Sequence, residues 1–470
     1  MENKILRNLT FFLISCCIVY YFKDGGFFWD NTIFGYQMGN HLYNNGLFNF
    51  NFPDSFDPGH PPFLAILLAT SWKLLGRTLL VSHAVLLPFI YGVFVQIYLF
   101  SKNYTLKPQH TFLAFILLIA DPTLDAQLIL IGPEVIHIFF FFLTINAIIK
   151  DNSKLKTIGL FFLGIVSFRG MLLVSGIVLF EVSRHIWIYK KSFISFFSKK
   201  NISTYTIGAL PAIAYVIWRL ATKGWLQTNP NSTYSVYWHY VNLSDFGRNI
   251  IVLIHRYADF GRVAIYLFIG YMLISQKESL SNKKDQELLL LGITSVITII
   301  IISLLATNPF GHRYFIVSFM AFSMLAYRLL LNINRKKNYI ILLTFLITGN
   351  LWIYPEKISQ GWDASLAHIP YFNLRTKAIS YLNSEHIEIS NTATFSPNHG
   401  YVDQTDLSGN MNQFSTFTGE QAFVFYSNVF NLSDEDYISL EKDYKLIKRF
   451  SKGSVYIDVL KLKSYIKGTP

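Results

Sequence analysis

The sequence predicts an all-α polytopic membrane protein with a small α/β domain at its C-terminal end. Three observations carry that prediction. Of 470 residues, 52% are hydrophobic, 17% aromatic and only 14% charged, whereas a soluble chain carries roughly a quarter charged residues. Apolar runs near the length of a bilayer crossing, ~20 helical residues each, recur up to position 354. Beyond Pro355 the composition turns to that of an ordinary soluble domain.

Taken in order, the runs predict about eleven spans, near 5–22, 78–100, 109–121, 134–149, 157–171, 172–189, 204–221, 258–275, 287–305, 314–331 and 338–354. The first, preceded by Lys4 and Arg7, has the outline of a signal peptide. No small-residue cleavage site follows it, so it is expected to be a retained span. Cys16 and Cys17 lie side by side within it, poor partners for a disulfide, and no zinc or redox cysteine motif is present.

The net charge of +12 does not point to nucleic acid, because the basic residues are scattered between spans. Every second connection is the basic one: Lys4 and Arg7; Lys102 and Lys107; Lys150, Lys154 and Lys156; Lys190, Lys191, Lys199 and Lys200; Lys277, Lys283 and Lys284; Arg335, Lys336 and Lys337. The positive-inside rule makes these segments cytoplasmic. An odd number of spans then leaves the C-terminus on the extracytoplasmic side, with a bacterial inner membrane as the expected home.

Two domains are expected: a transmembrane domain over 1–354, whose first outer loop is 23–77, and an extracytoplasmic α/β domain over 355–470. In the latter, 371–382 reads as a helix, and Ser433 before Asp434, Glu435 and Asp436 reads as a capped helix start. Segments 445–450 and 455–462 read as strands joined across a turn at Gly453.

The residues able to do chemistry gather at the outer face. Asp30 heads the opening loop, ahead of Phe34, Met38 and Leu42 at the spacing of an amphipathic surface helix. It is either a helix cap or a general base that takes a proton from an acceptor hydroxyl; in this context the base is favoured, and one residue can serve as both. The turn from Phe52 to Pro62 carries Asp57 and His60, turn formers or substrate contacts in equal measure, and Pro61-Pro62 opens an apolar helix. Glu134 enters the fourth span after Gly132-Pro133, with His137 one turn deeper. A carboxylate in a span costs roughly 2.5–3.5 kcal/mol to insert and so faces a cavity or a partner. Glu134 is read as functional, His137 as core packing, and Asp121 and Asp125 as solvated. Arg169 and Arg313 enter from the same face, where a guanidinium suits a phosphate gripped through two parallel hydrogen bonds. Arg313 is assigned to phosphate, while Arg169 stands evenly between phosphate and a structural ion pair. Arg256, Asp259 and Arg262 are spaced for mutual pairing and read as structural, as do Glu181, Arg184 and His185.

The chain has neither a phosphate loop nor a dinucleotide glycine fingerprint. Its one acidic triplet at Asp-x-Asp spacing, Asp434-Glu435-Asp436, is better explained as a helix first turn than as a metal site for a nucleotide sugar. An activated donor is therefore expected to come from lipid.

This constellation resembles the GT-C membrane glycosyltransferases, the group that includes the dolichyl-phosphate-mannose–protein mannosyltransferases and the lipid A aminoarabinose transferase. The resemblance rests on Asp30 early in the first outer loop, His60-Pro61-Pro62 before FLAILLATSWKLLG, Glu134, Arg169 and His312-Arg313-Tyr314. It implies an inverting transfer of a sugar from a polyprenyl-phosphate donor to a glycan, lipid or protein acceptor. Asp30 and Glu134 would be the catalytic residues. Asp57, His60, Arg169, His312, Arg313 and Tyr314 would bind substrate, with the two arginines on the departing lipid phosphate. Relatives usually carry Asp at the position of Glu134 and often Lys at that of Arg169. No metal ligands are assigned, and because some members of the group use a divalent metal, one stays open here. A flippase for lipid-linked sugars would put its polar groups at mid-membrane in matching halves, whereas here they lie at one face. An O-antigen ligase or polymerase is a further lipid-donor alternative, and a non-catalytic scaffold would tolerate Asp30→Asn.

Overall fold

Helices account for the chain up to Gly349, and a six-stranded sheet with flanking helices follows. The computed structural model describes residues 4–226, 240–275, 280–307, 310–333, 336–355, 358, 360–430 and 432–464. Lys277 and Arg335, used above for orientation, lie outside the described residues.

Among the described helices, five are long and apolar enough to cross a bilayer: Lys4–Tyr21, Leu79–Tyr104, Phe168–Ile188, Lys283–Leu304 and His312–Leu331. Two bent pairs, each a broken span or a re-entrant loop, bring the number to seven if each is one span: Pro108–Ile119 with Pro122–Ile129 at 72° and Leu243–Ala258 with Val263–Ser275 at 92°. Three of the four expected spans outside this count fold as shorter helices, and the fourth, near 204–221, lies in the 25-residue helix Lys199–Lys223, too polar to be counted. Ser153–Val166 and Lys336–Gly349 have 14 residues each and Glu134–Ile149 has 16, at ~1.5 Å per residue well under a ~30 Å hydrocarbon core. Glu134–Ile149 is apolar on every side and buried on nearly every side, as a helix at the centre of a bundle must be. The chain is thus a multi-pass, mostly helical membrane protein.

Both elbows of the bent pairs have local causes. At the first, the Asp121 carboxylate caps Pro122–Ile129, accepting from the Thr123 and Leu124 amides at 2.9 and 3.2 Å, with Pro122 at the position where its missing N–H costs nothing. At the second, Phe260 and Gly261 turn through positive φ (51° and 80°), and a Cβ on Gly261 would lie 1.9 Å from the Phe345 carbonyl oxygen. The elbows are stitched together: Arg262, fully buried, donates Nε and Nη2 to the two Asp121 oxygens at 2.7 Å each. Asp121 is therefore buried and paired, not solvated, because the elbow brings a guanidinium to it. Arg262 pairs with Asp121 and not with the Asp259 carboxylate, whose oxygens instead accept from His312 and Tyr354.

In the C-terminal region the strands are β1 (Thr392–Thr394), β2 (Gly400–Tyr401), β3 (Gln413–Thr416), β4 (Phe423–Ser427), β5 (Tyr444–Lys452) and β6 (Val455–Leu462). Their order is β2-β3-β1-β4-β6-β5, with β1 parallel to β3 and β4 and the remaining pairs antiparallel. The β5–β6 hairpin turns at Gly453, φ +62°, close to its expected place. The expected helices are Pro370–Ser384 and Asp434–Asp443, the latter with a reciprocal Ser433–Asp436 capping box. Phe28 of the first loop and Leu130 are buried in this region's core. The two parts also interlock at the backbone, where the Phe27 amide donates to the Thr405 carbonyl at 2.9 Å.

Candidate active site

Five segments deliver charged side chains to one place. Trp29 has φ +52°, a left-handed conformation costing a non-glycine residue ~1–2 kcal/mol, and it turns the chain so that Asp30 heads the next helix. The Asp30 carbonyl accepts the Ile33 and Phe34 amides at 3.0 and 3.1 Å, starting a π-helical turn, Thr32–Gln37, that continues as Met38–Asn45. Met38 and Leu42 are buried against Phe52, Ala65 and Ala69. The apolar face expected of this helix, Phe34, Met38 and Leu42, thus packs on the helix Phe63–Leu75 and the turn before it. The Asp30 carboxylate, 40% exposed, points away from its helix and accepts from Arg313 Nη2.

Glu134 opens its helix beneath Gly132. A Cβ on Gly132 would meet Asn31 Oδ1 at 2.9 Å and Glu134 Oε2 at 3.1 Å, so glycine lets the first loop and the Glu134 carboxylate approach. Glu134 is buried and accepts from Arg169 Nη1, and its Oε1 lies 3.3 Å from Arg313 Nε. Arg169 sits on the first turn of Phe168–Ser183, whose start is capped by Ser167. Its guanidinium carbon lies 3.7 Å from the centre of the Tyr314 ring, a cation–π stack. Arg313, on the turn His312–Phe315, also donates Nη1 to Asp363.

Asp363 was not anticipated. It follows Trp362 in a 3-10 turn, Trp362–Ala364, beyond the last apolar helix. Helix Pro122–Ile129 pins that turn: Gln127 Nε2 donates to the Asp363 carbonyl at 2.7 Å and the Thr123 hydroxyl to the Ala364 carbonyl at 3.1 Å. The one hint in the sequence is the Trp-Asp pair it shares with Trp29-Asp30, too short a pattern to single out.

Asp30, Glu134, Arg169, Arg313 and Tyr314 therefore converge, with Asp363 added. Of the other predicted site residues, Asp57 and His312 bond away from this cluster, while His60 borders it beside Arg169. Asp57 is buried against Arg219 (Oδ2 to Nη1, 2.9 Å), and its Oδ1 accepts the Gly59 amide at 2.9 Å. His312 turns away from Arg313 to Asp259, Nε2 to Oδ2 2.8 Å. His60 accepts the Phe168 amide on Nδ1 at 3.1 Å and lines a narrow cleft. Phe34, Met38, Pro62, Val166 and Arg169 are among the other residues that line this cleft, which is thus apolar with the arginine at its edge. His137 packs inside the bundle, its Nε2 2.8 Å from the Ser167 hydroxyl.

The cluster holds three carboxylates and two guanidinium groups, a formal charge of −1. Its arrangement does not fit a divalent metal: each carboxylate is turned onto an arginine, and among the described residues no three His, Cys, Asp or Glu side chains are grouped to hold one. What it does supply is one exposed carboxylate, a ring-stacked cation and a buried cation within reach of one another.

No family model matches the sequence, and no curated protein sequence matches it. The fold does have solved counterparts, two crystal structures of ArnT from Cupriavidus metallidurans. The chain bound to undecaprenyl phosphate is 8% identical, with a TM-score of 0.50 over 97% of this chain and 98% of that one. The apo chain is also 8% identical, with a TM-score of 0.51 over 96% and 97%. At that identity the likeness establishes a shared fold along essentially the whole chain, membrane helices and C-terminal sheet together.

Proposed function

We propose that this protein is a membrane glycosyltransferase that moves a sugar from a polyprenyl-phosphate-linked donor to a glycan, lipid or protein acceptor on the extracytoplasmic face. The observation that carries the reading is the meeting of Asp30, Glu134, Arg169 and Arg313 beside an apolar cleft. The shared fold with a protein crystallised on undecaprenyl phosphate supplies the lipid class.

In this reading Asp30, the most exposed carboxylate of the cluster, takes the proton of the acceptor hydroxyl as its oxygen attacks the anomeric carbon. The bond from that carbon to the phosphate oxygen breaks on the opposite side, inverting the centre, and the electron pair leaves on the phosphate. Arg313 and Arg169 stabilise the charge developing there, with Arg169 held flat by Tyr314 and both arginines oriented by Glu134. Arg313 meets Asp363 from the segment that follows the last apolar helix, and the alternating basic connections of the sequence support an extracytoplasmic position for that segment.

The test is mass spectrometry of glycans and lipids from cells carrying the wild-type gene, Asp30→Asn or a deletion. The reading expects one sugar-bearing species to vanish in the deletion and to stay absent with Asp30→Asn. A species restored in full by Asp30→Asn would overturn it.

A further inference from the structure

Arg313 has more carboxylates around it than a phosphate-binding arginine can keep. Its Nη1 donates to Asp363, its Nη2 to Asp30, and its Nε faces Glu134 Oε1 at 3.3 Å. A guanidinium grips a phosphate through two parallel N–H groups on one edge. Each edge, Nη1 with Nη2 and Nη2 with Nε, includes an N–H already given to a carboxylate, although Nε itself makes no hydrogen bond to the described residues. An incoming phosphate therefore takes Arg313 only by displacing one of them, and it adds negative charge to a cluster that is already at −1.

The three carboxylates are not equally free to yield. Glu134 is buried and shared with Arg169. Asp30 is the base of the proposed reaction. Among the described residues Asp363 forms its one ion pair with Arg313, while Arg256, whose charge it also feels, donates Nε to the Phe310 carbonyl instead. The Asp363 backbone is pinned by Gln127 and by Thr123 through the neighbouring carbonyl, so its side chain can rotate off Arg313 and return while the turn stays in place.

We infer that Asp363 is an internal competitor of the polyprenyl phosphate for Arg313, a positioning residue that aligns the guanidinium, gives up Nη1 when the phosphate binds, and reclaims it to drive release of the lipid phosphate. The inference rests on the proposed function and extends it to a residue in the segment that follows the last apolar helix. It explains why a carboxylate stands on the one group expected to hold an anion.

Direct titration of the purified full-length protein with undecaprenyl phosphate, and with undecaprenol as a phosphate-free control, tests it. Asp363→Asn removes the competing charge and keeps the shape. It is expected to bind undecaprenyl phosphate roughly tenfold more tightly and to release it more slowly. Asp363→Glu keeps the charge and is expected to bind within a few-fold of wild type, and thermal melting checks that both variants fold. A purely structural Asp363 predicts weaker binding and a lower melting temperature for the Asn variant. Wild-type binding with Asp363→Asn binding equally or more weakly overturns the competitor role alone. Wild-type protein that does not distinguish undecaprenyl phosphate from undecaprenol overturns the functional reading, and the competitor role with it.

Discussion

Arg313 Nη2 donates to the Asp30 carboxylate although 283 positions separate the two residues. One stands at the head of the first long loop and the other at the entry to the helix Ile316–Ile333. The contact spans nearly the whole helical part of the chain and joins the proposed base to the proposed phosphate ligand, so its two ends give separable predictions.

Removing the base is expected to stop transfer while sparing the fold. Asp30→Asn leaves Arg313 with Asp363 and Glu134 as carboxylate partners, so the buried cation stays compensated. Turnover is expected to fall by ~10²–10⁴-fold, the usual contribution of a general base, with the melting temperature nearly unchanged. Quantifying the glycosylated product against the thermal melt of the purified variant checks both halves.

Arg313 is expected to behave in the opposite way. Arg313→Gln strips the cation from three carboxylates, one of them buried, and loss of one partner from such an arrangement costs about 3–5 kcal/mol. Arg313→Lys keeps the charge but not the planar fork, so it is expected to fold while binding undecaprenyl phosphate at least tenfold more weakly. Thermal melting and lipid titration separate the two effects.

The elbow pair Arg262–Asp121 is predicted to be structural only. Arg262→Met leaves Asp121 buried without its bidentate partner and is expected to destabilise by about 3–5 kcal/mol. The double variant Arg262→Met with Asp121→Asn removes both charges and is expected to recover a large part of that loss. A melting series over the two single variants and the double measures the recovery.

The docking of the C-terminal region on the first loop carries a pH signature. Asp403 accepts from Tyr36 at 2.7 Å and from Arg77 at 2.5 Å. Burial alone would raise its pKa, but hydrogen bonds from Arg77, Tyr36 and the Gly409 amide outweigh that and hold the carboxyl below its ordinary 3.8. A depressed folded-state value means that the stabilisation is fully present above 3.8 and is lost as pH falls through the folded value beneath it. Protection from hydrogen exchange around Phe27 and Thr405, taken relative to the intrinsic rate at each pH, is therefore expected to fall below about pH 4. That step should be absent from Asp403→Asn, whose protection should be low at every pH.

The helical membrane class and the C-terminal domain with its Gly453 hairpin and Ser433 cap were legible as local pattern. Span-length apolar runs, a capping residue before three acids and alternating basic connections each act within a few residues of themselves. The three short strands β1, β2 and β3, only two to four residues long, left no periodicity to read. The shorter helices and bent pairs were equally hidden, because a 14-residue apolar helix buried in a bundle has the composition of a span cut short.

The site divided along the same line. That Asp30, Glu134, Arg169 and Arg313 were unusual followed from their cost in apolar surroundings, which one residue in its own neighbourhood reveals. Which charge met which was decided only by the tertiary structure. Arg262 went to Asp121 instead of Asp259, His312 turned to Asp259 instead of the site, Asp57 went to Arg219, and Asp363 arrived from beyond the last apolar helix. A buried charge must find a partner, and sequence states that need; the choice among partners depends on distances set by how helices bend and pack, which no local stretch of the chain encodes.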